Sequence, residues 1–142
     1  AIQEGAIRKK IVESNLAFDK WETLVHPSAH IARTVNIGKG CMFFMNSIVS
    51  VDSSIGDFSL CYFSSTISND CEIGKYVSIM SNVSVSEYVK IKDEAYLSAG
   101  SSVNPNIVIG ASSRVAVGGI VTNDCKDGTL ISGTNSILDI FK

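Results

Sequence analysis

Few side chains in this sequence could carry chemistry. There are two histidines, His26 and His30, spaced H-x-x-x-H, and four cysteines, Cys41, Cys61, Cys71 and Cys125. Two imidazoles four residues apart could begin a metal site. A catalytic zinc takes three protein ligands, and both histidines precede the six-residue repeat that starts at Ile31, so no metal is expected. A cysteine can act as nucleophile or metal ligand only as an accessible thiolate. What the four cysteines do therefore depends on the elements that hold them.

Those elements are set by a repeat. From Ile31 in steps of six, through Ile37, Phe43 and Val49 to Val115 and Val121, all 16 positions are apolar. Four residues after each stands a residue that is usually small, such as Ser47, Ser53, Ser59 or Ser101. Period six is neither helical nor simple strand alternation. It fits a two-residue strand and a corner, with the large residue filling a coil and the small one sitting at the bend. Gly38, Gly56, Gly74 and Gly110 recur at multiples of 18 residues, with Lys92 in the remaining slot. Eighteen is three hexads, so each coil has three faces. The glycines are expected at one corner where a positive φ is cheapest. The fold class is all-β, a parallel β-helix of about five coils in which each coil buries the apolar face of its neighbour.

The same register disposes of the cysteines. All four fall on inward positions. Cys71 and Cys125 share a column but lie three coils apart, roughly 14 Å at strand spacing, too far for a disulfide. They are expected as buried, reduced thiols, which favours a cytoplasmic location.

Three segments follow. Residues 1–25 hold a short helix over 5–16, with Ile7, Ile11 and Val12 as its apolar stripe, and a strand at Trp21–Val25. Residues 26–125 form the β-helix. Residues 126–142 leave the hexad register, and Ile131, Ile137, Leu138, Ile140 and Phe141 are expected to cap the last coil against edge pairing. With 45% hydrophobic and 18% charged residues the chain is not disordered. Its net charge of −2, without a basic run, gives no footprint for nucleic acid or an anionic membrane. No apolar stretch is long enough to span a bilayer. The first residue is Ala1, so the chain is read as processed or as a fragment.

The repeats N-I-G-K-G-C, S-I-G-D-F-S and E-I-G-K-Y-V resemble those of the hexapeptide-repeat acyltransferases. The lead-in R-K-K-I-V-E, followed by T-L-V-H-P-S-A, is similar to the domain junction of the sialic-acid O-acetyltransferase and bacillosamine or perosamine N-acetyltransferase group. The resemblance covers nearly the whole chain. It implies a left-handed β-helix, a homotrimer with acetyl-CoA in the cleft between adjacent prisms, and a nucleotide-sugar acceptor used in bacterial surface-glycan synthesis. It also implies that residues 1–25 are the remnant of an N-terminal Rossmann-like domain; the alternative is a helical cap on the coils.

In that family the general base is a histidine in a segment like H-[DE]-C-x-I-G. The matching segment here is Asn69-Asp70-Cys71-Glu72-Ile73-Gly74, so Asn69 takes the histidine's place. A second family histidine aligns with Ser78. Asn is not a base. A sugar hydroxyl gains roughly 10²–10⁴-fold from general-base help, whereas a neutral amine is already nucleophilic. The substitution therefore favours an amino-sugar acceptor, with Asp70 as replacement base and Asn69 orienting the acceptor. The resemblance places the coenzyme against Ser98, Ala99 and Gly100 and against Ala116, Val117 and Gly118, with Ser78 completing the set. The family's terminal glycine motif is matched only by Gly133-Thr134-Asn135-Ser136. The competing expectation is a non-catalytic trimeric β-helix scaffold, motivated by the absent histidine.

Overall fold

A computed structural model describes residues 2–15 and 20–134. It shows one helix, α1 (Gly5–Ser14), followed by a parallel β-helix whose strands are each two residues long. Three sheets form the faces of a triangular prism. The first face stacks seven strands, from Leu24–Val25 to Leu130–Ile131; the second stacks six, from His30–Ile31 to Ile120–Val121; the third stacks five, from Asn36–Ile37 to Val108–Ile109. Each strand pairs with those 18 residues away through most of the chain, as Ser78–Ile79 does with Leu60–Cys61 and Tyr96–Leu97. The prism has about six turns rather than five. It is longer because pairing continues past both ends of the hexad run. Leu24–Val25, expected in the lead-in, pairs with Met42–Phe43, and Leu130–Ile131 pairs with Arg114–Val115.

From Met42–Phe43 onward the second residue of each strand points inward and builds the core, with Ile67, Ile79, Val85, Leu97, Ile109 and Val115 fully buried. The small position does more than save space. Ser59 Oγ donates to the Gly74 carbonyl at 2.8 Å and accepts from the Val77 N–H at 3.0 Å, so one hydroxyl ties adjacent coils. Ser53 does the same with the Ser68 carbonyl and the Cys71 N–H. A buried hydroxyl is tolerated because it is paired. The four cysteines are buried and form no disulfide among the described residues, and burial pushes the thiols of Cys41, Cys61 and Cys71 up from their usual range.

The expectation for the periodic glycines fails in its reason. Positive φ falls two residues later at that corner, at Gly40, Phe58, Tyr76, Glu94 and Ser112. Gly38, Gly56, Gly74 and Gly110 are instead where the next coil presses closest. A Cβ on Gly56 would meet the Gly74 carbonyl carbon at 2.6 Å, and one on Gly110 would run into the Lys126 carbonyl carbon. Phe58 and Tyr76 hold left-handed backbone with their rings stacked 5.2 Å apart, and Trp21 packs edge-on against Phe58 at 5.4 Å.

Helix α1 also docks differently from expectation. Its buried residue is Gly5, beside the Tyr76 carbonyl, while Ile7 and Ile11 are exposed. Arg8, outside that apolar stripe, is the anchor. Its Nε donates to the Phe58 carbonyl at 3.0 Å, and its Nη2 donates to the Tyr76 and Val77 carbonyls at 2.7 and 3.1 Å. Burial is the main cause that pulls its pKa down to about 10, so it remains charged at neutral pH. Lys9 pairs with Glu94, and Glu4 makes a two-point contact with Arg114.

The Glu4 carboxyl is held below its usual range, chiefly by its hydrogen bond to Arg114. A carboxyl with a lowered folded pKa adds stability above its unfolded pKa and loses it as pH falls through the folded value. Hydrogen-exchange protection of α1 is therefore expected to weaken below about pH 4. The Glu4→Gln variant should show less of this acid sensitivity.

The expected capping residues Ile137, Leu138, Ile140 and Phe141, together with Asn135 and Ser136, lie outside the described residues. Among the described residues no helix is long and apolar enough to cross a membrane.

Candidate active site

The three corners of the prism are columns of two-residue turns whose second member holds positive φ. Asn69 and Asp70 occupy the corner between the second and third faces. Asp70 N–H donates to the Val51 carbonyl on the preceding rung at 3.1 Å. Asp70 takes φ of 56°, a conformation that short polar side chains tolerate. Asn69 Nδ2 donates to Asp70 Oδ2 at 2.7 Å. The pair thus forms one unit in which the Asn amide is fixed and its Oδ1 is left to accept a hydrogen bond.

The next rung of that corner carries Glu87 and Tyr88. The Tyr88 N–H donates to the Asn69 carbonyl at 3.2 Å, and the Asn106 N–H above donates to the Glu87 carbonyl at 3.1 Å. Glu87 is half-buried and Tyr88 is 53% exposed. Sequence reasoning missed both residues. The signal was available, since adding the coil length of 18 to 69 and 70 gives 87 and 88.

Six of the residues expected to face the coenzyme come together at the corner between the first and second faces. Ala99 and Gly100 form one rung and Val117 and Gly118 the next, joined by the Gly118 N–H to the Ala99 carbonyl at 3.0 Å. Ser98 and Ala116 precede them on the same two coils. Gly100 and Gly118 have φ of 68° and 66°, and a Cβ on either would meet nothing within 4 Å. This corner is open. Earlier coils carry large residues at the same place, with Phe44 and Tyr62 stacked 4.3 Å apart and Phe63 packed edge-on against Phe44. The column therefore steps down from an aromatic wall to a ledge of small residues.

Ser78 stands apart from both groups. It lies on the first face, fully buried beneath the N-terminal segment. Its hydroxyl donates to the Gln3 carbonyl and accepts from Arg8 Nη1 at 3.0 Å. In the single chain a ligand cannot reach it without displacing Gln3.

The second face separates the Asn69 corner from the small-residue ledge, so one chain does not bring them together. Both are convex edges, whereas ligand sites are concave. Elsewhere a hollow of about 460 Å³ is lined by Leu24, Val25, His26, Pro27, Met42, Phe43 and Phe44. There His26 Nδ1 accepts from the Ser28 N–H at 3.2 Å, which fixes the ring. Among the described residues no group of three or more His, Cys, Asp or Glu side chains is placed to hold a metal ion.

This geometry has counterparts. GDP-perosamine N-acetyltransferase of Escherichia coli is 31% identical over 117 residues, covering 78% of this chain and 53% of the relative. A histidine-to-asparagine variant of perosamine N-acetyltransferase from Caulobacter crescentus, solved with CoA and GDP-perosamine, superposes with a TM-score of 0.90. It is 27% identical, and the match covers 94% of this chain and 67% of that one. These likenesses support a place in the hexapeptide-repeat sugar acetyltransferase family. The acetyltransferase domain of PglB from Neisseria gonorrhoeae, solved with acetyl coenzyme A, shares the fold at a TM-score of 0.87 and 24% identity, over 92% of this chain and 64% of that one. No family model matches the chain. The chain spans about half the length of the curated relatives it matches.

Proposed function

We propose that this chain is the β-helix part of an acetyl-CoA-dependent acetyltransferase that modifies an amino group on a nucleotide sugar. The open ledge at Ala99-Gly100 and Val117-Gly118, in a chain with these likenesses, is the observation that carries the reading. A thioester-bearing arm can lie close to a backbone that has no side chains in the way. Relatives solved with CoA, acetyl coenzyme A and GDP-perosamine support both ligand classes.

The acceptor is an amine because Asn69 stands where the family's base is a histidine, and an amine needs less help than a hydroxyl. Asn69 accepts a hydrogen bond from the acceptor and orients it, held in turn by Asp70. Since each edge is convex in one chain, the coenzyme and the acceptor meet in a cleft closed by a second copy, as a homotrimer provides. Helix α1 is the end of an N-terminal unit that contributes to sugar-nucleotide binding. The work is cytoplasmic, in line with four reduced thiols, and serves surface-glycan synthesis.

Calorimetry with acetyl-CoA, with the oligomeric mass taken on the same sample, tests this directly. Micromolar binding by a trimer and acetyl transfer to GDP-perosamine are expected. Ala99→Trp places an indole on the exposed ledge without a positive-φ penalty, and it should weaken acetyl-CoA binding about 100-fold, a loss of ~2.7 kcal/mol. Unchanged affinity in that variant would move the coenzyme elsewhere. The missing histidine favours a second reading, a trimeric scaffold without turnover. Failure of a well-folded trimer to bind acetyl-CoA would select it.

A further inference from the structure

Resting on the acetyltransferase reading, we propose that Glu87 is the general base, taking the part that a histidine at position 69 would play. Glu87 and Asn69 are first residues of successive turns in one column, about 4.8 Å apart at the backbone. The two choices of carboxylate at this corner are not equal. Asp70 Oδ2 already accepts from the Asn69 amide at 2.7 Å. The Glu87 carboxylate has no hydrogen-bonding or ionic partner among the described residues, although it is half-buried. Half-burial without a partner is unfavourable for a carboxylate that serves only as surface charge.

The rung has a second unexplained feature. Tyr88 holds φ of 59°, a conformation costly for a bulky side chain. Phe58 and Tyr76 do the same elsewhere, but they gain a ring stack. Tyr88 makes no ring contact among the described residues and is half-exposed beside the Asn69–Asp70 unit. A ring held outward there, at a backbone cost, gives the apolar face of a sugar ring a surface to lie on. The titratable groups around Glu87 are Asp70 and Cys71 on the preceding rung and Tyr88 on its own. The following rung carries the uncharged Pro105 and Asn106.

The step balances as follows. The neutral acceptor amine attacks the thioester carbonyl, forming the C–N bond. The proton that nitrogen sheds goes to a Glu87 carboxylate oxygen. The C–S bond breaks, and the proton passes from Glu87 to the departing sulfur, leaving an acetamide and CoA thiol. Asn69 Oδ1 holds the acceptor N–H during attack, and the Asp70 carboxylate holds Asn69.

The test uses the whole chain with acetyl-CoA and GDP-perosamine, reading thiol release and acetamide product. Glu87→Gln should lower kcat about 100-fold or more and leave the KM for acetyl-CoA unchanged. Glu87→Asp should recover part of the rate. Asn69→His in the Glu87→Gln background should restore turnover with a limb near the histidine pKa, about 6.5. A Glu87→Gln protein with the parent's kcat would overturn the base assignment and leave the acetyltransferase reading standing. Acetyl-CoA binding without any transfer by the parent chain would overturn both.

Discussion

Gly56→Ala is expected to destabilise the protein by about 3 kcal/mol, a severe loss for a methyl group. The added Cβ would lie 2.6 Å from the Gly74 carbonyl carbon, 2.7 Å from its oxygen and 2.7 Å from the Lys75 nitrogen. These are backbone atoms of the next coil and cannot swing aside like a side chain. Relief requires separating two coils, which weakens the ladder on the third face, where the Gly56 N–H donates to the Ile73 carbonyl at 2.7 Å. Overpacking a close-packed interior costs typically 1–3 kcal/mol and occasionally more. Gly100→Ala is the internal comparison. Its φ of 68° disfavours a Cβ, but nothing lies within 4 Å of one, so the cost is the backbone alone, about 1–2 kcal/mol. Denaturant unfolding of the two variants distinguishes them. Equal losses would mean that backbone conformation, not coil approach, selects glycine at both sites.

The second large effect concerns Arg8. Arg8→Ala is expected to release α1 from the prism while the β-helix stays folded. The substitution deletes the donors to Phe58, Tyr76 and Val77 and the contact with the Ser78 hydroxyl. Buried acceptors left unpaired cost about 1–3 kcal/mol each, although water can enter to satisfy part of this set. A 10-residue helix has little stability of its own, and with Ile7 and Ile11 exposed it has few apolar contacts to fall back on. Hydrogen exchange should lose protection over residues 5–14 and keep it at Ile79, Val85 and Leu97. Arg8→Lys should not rescue docking. An ammonium cannot reproduce a planar fork that reaches three carbonyls and a hydroxyl of the prism. Retained protection of α1 in Arg8→Ala would assign docking to Gly5 and the Lys9–Glu94 pair instead.

The sugar acetyltransferase reading and the Glu87 assignment depend on different features of the prism. The ledge of small residues concerns where a thioester arm can lie. The Asn69, Asp70 and Glu87 corner concerns what happens to a proton. Ala99→Trp and Glu87→Gln therefore act on separate steps, one on coenzyme affinity and the other on kcat.

The hexad register was enough, without any coordinates, to give the β-helix, its three faces, the inward cysteines and the residues that share a corner. This works because each rung repeats one local choice of strand and bend, and its neighbour is always 18 residues away. The candidate site was legible to the same extent: Asn69 and Asp70 on one corner, and Ala99, Gly100, Val117 and Gly118 stacked on another. Only the tertiary structure decided what lies outside that periodicity. Arg8 meets Tyr76 across 68 residues, and no repeat encodes that contact or the burial of Ser78 beneath Gln3. The periodic glycines were located by sequence, but their reason, backbone pressing from the next coil, is a three-dimensional distance. The pairing that ties Asp70 to Asn69 and leaves Glu87 free depends on which rotamer each carboxylate adopts, and residue order alone does not specify it.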